Sequence, residues 1–164
     1  MKCRKLLSRH ERLIIGTAGS LVIAGFMALT FAKVMKINNT DPLLEDLRSG
    51  AVTTKCLTSK KSADALSNHV GRDVGGLAVS NISATTEQCK SEPDPDSCIA
   101  EGATLEVSRA LGKTSTGFDK FNLRVTHFIQ QTHSSWSTED DAVMSVFGEQ
   151  AIDGIDAMRK ACKN

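Results

Sequence analysis

From Leu13 to Ala32 the chain reads LIIGTAGSLVIAGFMALTFA, a stretch of 20 residues without a charge. At about 1.5 Å rise per residue this makes a helix about 30 Å long, the thickness of a bilayer's hydrocarbon core. The pattern predicts a transmembrane helix. An apolar region of this length exceeds the roughly 7–15 residues of a cleavable signal, so an uncleaved anchor is favoured over a leader ending at Ala32. Within it Gly16, Ser20, Ala24, Ala28 and Ala32 recur every four residues, a small-residue face on which a second helix packs closely. This face is a candidate for homo-oligomerisation through the membrane.

Beyond Ala32 the apolar positions fall mostly three and four apart, the helical period. Lys33–Thr40 reads as a polar stalk. Asp41-Pro42 is a cap followed by a first-turn proline, and Leu43, Leu44 and Leu47 give a short stripe that Gly50 ends. AVTTKCLT (51–58) is the best β-strand candidate, though short. From Ser62, the residues Ala63, Leu66, Val70, Val74, Leu77 and Ile82 predict a helix, with a kink or break near Gly75-Gly76. A third helix runs from Pro95 or Ser97 to Leu111, capped by Ser97 and stopped by Gly112.

The clearest amphipathic stripe follows over Gly117–His133: Phe118, Phe121, Val125, Phe128, Ile129 and Thr132. The last helix starts at Ser137 or Thr138. Glu139, Asp140 and Asp141 sit at its positive end, and Arg159, Lys160 and Lys163 at its negative end. Its stripe is Val143, Val146, Phe147, Ala151, Ile155, Met158 and Cys162. The expected fold is all-α: one N-terminal transmembrane helix, then a small disulfide-tied bundle of four to five helices. The domains are a basic tail (1–12), the membrane helix (13–32), the stalk (33–40) and an extracytoplasmic helical domain (41–164).

Charge sets the orientation. The formal total of +1 hides a +4 segment, residues 1–12, before the apolar stretch. Positive flanks stay inside, so the N-terminus is expected in the cytoplasm and the bulk of the chain outside it. The expected location is the inner membrane. A near-neutral chain with 4% aromatic residues and no Tyr also excludes bulk electrostatic nucleic-acid binding and base-stacking platforms.

Cysteine usage agrees with that orientation. Cys3 lies on the reducing side, while Cys56, Cys89, Cys98 and Cys162 lie in the expected oxidising compartment. Four cysteines allow three pairings. Cys89 and Cys98 flank KSEPDPDS, whose prolines forbid helix and whose length closes easily. That favours Cys89–Cys98 and, by remainder, Cys56–Cys162. The longer bridge is worth about 2–4 kcal/mol in the chain-entropy view.

Motifs that carry chemistry are scarce. No CxxC pair occurs, and His69, His127 and His133 are scattered, so neither a metal centre nor a thiol redox site is expected. G-x-S-x-G, H-E-x-x-H and P-loop motifs are missing from the sequence, and no cofactor is expected. Asp94 and Asp96 read as a solvated loop rather than a calcium site. His69, Gly71, Arg72 and Asp73 form a polar patch no different from a solvated face. Asn38-Asn39-Thr40 and Asn81-Ile82-Ser83 match a glycosylation acceptor by chance. Trp136 reads first as a staple on the next helix, with an exposed anchor for a partner as the alternative. A non-enzymatic, protein-binding module or accessory subunit of a secretion- or conjugation-type assembly is the expected function, with the bilayer and envelope proteins as partners. The alternative is an extracytoplasmic inhibitor or immunity protein against a toxin or wall hydrolase.

Overall fold

A computed structural model of the chain describes residues 41–70, 74–134 and 138–163. The apolar stretch with Gly16, Ser20, Ala24 and Ala28 lies outside these residues, as do Cys3, the patch residues Gly71, Arg72 and Asp73, and Trp136. No described helix is long and apolar enough to cross a membrane.

Seven helices, and no strand, occur among the described residues: α1 (Pro42–Arg48), α2 (Thr54–Leu57), α3 (Lys60–Val70), α4 (Gly75–Cys89), α5 (Pro95–Thr114), α6 (Gly117–His133) and α7 (Glu139–Lys163). The all-helical expectation holds. The strand candidate at 51–58 does not: its second half is the single-turn helix α2. Thr53 caps that turn by accepting from the Cys56 amide at 3.3 Å. Local capping thus overrides the β-branched composition of the segment.

Other boundaries follow from the caps. Asp41 accepts from the Leu43 amide at 2.9 Å with Pro42 in the first turn, as expected. The helix expected from Ser62 begins at Lys60 and is broken into α3 and α4. The cap of α5 is Asp94, not Ser97: its side chain accepts from the Ser97 amide at 3.2 Å, and Pro95 opens the helix. Gly112 does not stop α5, which continues to Thr114 before Ser115 turns extended. Thr138 and Asp141 exchange bonds at the start of α7, Thr138 N donating to Asp141 Oδ2 at 2.7 Å and Asp141 N to Thr138 Oγ1 at 3.3 Å. This is a capping box with Asp in the Glu position.

The described residues form one compact unit. Its centre is α5 and α7, with α3 against α7 and α4 against α5. Ala103, Val107, Ala110 and Leu111 of α5 meet Phe147, Ala151, Ile155 and Met158 of α7, all buried, with Leu66 and Ile82 closing the sides. Each fully buried Leu, Ile, Phe or Met contributes about 1.5–3 kcal/mol. The alanines let helix axes approach.

Two disulfides tie this core. Cys56 and Cys162, 106 apart in sequence, join α2 to the last turn of α7; Cys89 and Cys98 join the end of α4 to the start of α5. The buried Ser62 hydroxyl donates to the Cys56 carbonyl at 2.8 Å and lies 3.3 Å from Cys162 Sγ. An ion cluster around the buried Asp46 lies at the same end. Asp46 Oδ1 meets Lys163 Nζ at 2.7 Å, and its Oδ2 lies 3.2 Å from Arg159 Nε without hydrogen-bond alignment.

Candidate functional site

The helix with the clearest amphipathic stripe is the one whose stripe faces solvent. Ser115 and Thr116 are extended, and Gly117 at φ +56° takes the left-handed backbone that reverses the chain into α6. No residue of α6 is buried among those described. Phe118, Phe121, Val125 and Phe128 are 78%, 63%, 36% and 68% exposed. The contact with the bundle is made by the other side of the helix. Leu123 reaches towards Gly112 of α5, and Gln130 Nε2 donates to Ser145 Oγ of α7 at 2.9 Å.

Sequence periodicity gave this stripe its place on the helix. It did not reveal that α5 and α7 saturate each other, leaving α6 to lean on them by Leu123 and Gln130. One signal was legible: three of the six phenylalanines stand on this one helix face. Arg124 borders the face, and both it and Lys120, farther round the helix, are exposed. His127, half-buried, has its Nε2 at 3.0 Å from Gln131 Nε2.

Behind α6 lies a groove of about 470 Å³ between α4, α5 and α7. Its wall includes Asn81, Thr85, Glu106, Arg109, Leu123 and Asp140. Arg109 organises the polar side. Its Nε donates to Asp140 Oδ1 at 2.8 Å, its Nη2 to Asp140 Oδ2 at 2.6 Å, and its Nη1 to Glu106. The bidentate bond to Arg109 holds Asp140 below the usual carboxylate range against the opposing effect of burial, and the same bond raises Arg109. The guanidinium is thereby committed to protein carboxylates. It joins α5 to the first turn of α7, and sequence reading saw Asp140 only as a helix-dipole residue.

The remaining expected residues fall apart in space or serve structure. Cys56, Cys162, Cys89 and Cys98 are the two bridges. His69 is exposed at the end of α3. Asp94, expected in a solvated loop, caps α5 and meets Arg48 Nη2 at 2.5 Å. The Ser97 amide draws its carboxyl below the usual range first, with Arg48 adding to that and burial opposing it. Among the described residues no group of three or more His, Cys, Asp or Glu is placed to hold a metal ion. No protein-family profile, curated protein or solved structure matches the chain. The exposed aromatic face of α6 is the candidate functional site.

Proposed function

We propose that the chain is a single-pass envelope protein held by Leu13–Ala32, with residues 1–12 in the cytoplasm. Its helical domain outside the inner membrane acts as a protein-binding module or accessory subunit of a membrane assembly. The observation that carries this reading is the α6 face. Contiguous exposed apolar side chains on an otherwise well-covered domain are the usual mark of an interaction surface. Three aromatic anchors on one rigid helix suit a protein partner, because aromatic side chains dominate interface energetics. The two disulfides support an oxidising compartment.

The test is recovery of C-terminally tagged full-length chain from solubilised envelopes, with the intact mass recorded. The expected product has the full mass and brings envelope proteins with it. Replacing Phe121 and Phe128 by Ser releases the partner seated on the α6 face. A soluble product beginning at Lys33, holding one toxin or hydrolase, would instead establish an extracytoplasmic inhibitor.

A further inference from the structure

The exposed seam of α6 has a heptad spacing. Phe118, Phe121, Val125 and Phe128 are separated by three, four and three residues, the a and d positions of a helix that packs along a second helix. We infer that the occupant of this face is a second copy of the chain, its α6 lying parallel to the first across a two-fold axis. The inference rests on the protein-binding reading and names the partner of that site.

The exposed area suits a second copy. An aromatic side chain offers roughly 150–250 Å². With three of them 63–78% exposed, the seam presents on the order of 400 Å² of apolar surface. That matches the largest patches monomers usually expose, about 300–600 Å². Two such seams face to face remove about 800 Å², and the exposed Asn122, Arg124, Gln131 and Thr132 beside them bring the total towards the roughly 1,200 Å² at which specific interfaces begin. A two-fold pairing needs a self-complementary surface, which equal a and d layers of Phe and Val provide.

Charge fixes the direction. Arg124 occupies the g position of this heptad and Ile129 the e position. In a parallel pair g meets e of the partner helix, so Arg124 lies over Ile129 of the other copy. In an antiparallel pair g meets g, which sets Arg124 against Arg124. The parallel pair avoids that repulsion. An anionic bilayer is the weaker occupant, because residues 41–164 hold 13 Lys and Arg against 18 Asp and Glu.

The experiment uses the full chain in its membrane, with Cys3→Ser as background. Parallel pairing brings the two copies of residue 125 together in one a layer, so Val125→Cys should form a disulfide-linked species of twice the chain mass. Lys120→Cys, off the seam, should not. Differently tagged copies should appear in the same species, and Phe118→Ser with Phe128→Ser should abolish it while leaving the helical circular dichroism unchanged. A photo-reactive benzoylphenylalanine at position 121 separates the failures. Cross-links to itself support the inference. Cross-links only to another protein overturn the second copy and leave the binding reading standing. Cross-links to lipid alone, or none, overturn both. A doubled species that survives the Phe variants and disappears with Gly16→Leu and Ser20→Leu also overturns the inference, since the anchor then makes the dimer.

Discussion

The first residue of α4, Gly75, packs against the carbonyl oxygen of Ala63 in α3 so closely that a Cβ on Gly75 would lie 2.0 Å from it. That atom is backbone and has no rotamer by which to yield. The Gly75 amide also donates to Ser67 Oγ at 3.0 Å, fixing the crossing of the two helices. Its neighbour Gly76 is exposed, and a Cβ there would meet nothing within 4 Å. Gly75→Ala is therefore expected to cost about 1–3 kcal/mol through overpacking. Gly76→Ala should gain about 0.5 kcal/mol by restricting the unfolded chain. Urea unfolding of the two variants checks this, and equal effects would refute the close approach.

The two disulfides should contribute unequally. Cys56–Cys162 closes a sequence separation of 106, Cys89–Cys98 one of 9. Paired Ser replacements at Cys56 and Cys162 are expected to cost about 3–4 kcal/mol, those at Cys89 and Cys98 about 2–3 kcal/mol. Denaturation midpoints under non-reducing conditions give the order directly.

Acid should loosen the contact between α5 and α7. Asp140 titrates below its ordinary value of 3.8 in the folded chain because Arg109 holds it. A depressed carboxylate stabilises fully above its unfolded pKa and loses that contribution as pH falls through the folded one. Stability should thus decline below about pH 4. With the Asp140 side chain 41% exposed, its share is about 0.5–1 kcal/mol. Asp140→Asn should flatten that part of the acid limb and leave the neutral-pH slope alone. An unchanged acid limb in this variant would sink the assignment.

Asp46 should be intolerant of truncation for a different reason. It is 8% exposed and faces Arg159, whose side chain is 16% exposed, and Lys163. Asp46→Ala leaves the mostly buried Arg159 with only Asp156, at 3.5 Å, beside the exposed Lys163, an expected loss of about 1–3 kcal/mol. Adding Arg159→Met should recover part of it. The double-mutant cycle, read by thermal unfolding, measures the coupling.

Exposed phenylalanines should be nearly silent in the unpaired domain. Phe121→Ser is expected to change the unfolding free energy by no more than about 0.5 kcal/mol when measured at low protein concentration. Leu123→Ala, on the side of α6 that meets the bundle, should cost about 1–2 kcal/mol. The contrast reports which side of α6 faces the core.

Several elements were legible in the residues because they depend on near neighbours. Asp41-Pro42 could announce a helix start because a cap acts on the amide two residues on. Cys89–Cys98 was legible because the intervening prolines leave few ways for a short loop to run. That the helix breaks was visible in Gly71, Gly75 and Gly76, but the break falls before Gly75 and Gly76, which open α4, rather than at them. Local signals misled at α5: Ser97 read as its cap and Asp94 as a solvated loop residue, whereas Asp94 caps the helix with Pro95 behind it.

What the sequence determined alone, then, is the helical periodicity, the caps at Asp41 and Thr138, the short disulfide loop and the apolar face that each helix carries about its own axis. Tertiary structure decided which of those faces are covered. Arg109 found Asp140, 31 residues away, only because α5 and α7 cross there. The phenylalanines of α6 stay in solvent because the small residues of α5 and α7 let those helices close on each other and on α3 and α4. Periodicity defines a face relative to one helix, whereas burial depends on whether a neighbour has unfilled apolar surface left to meet it.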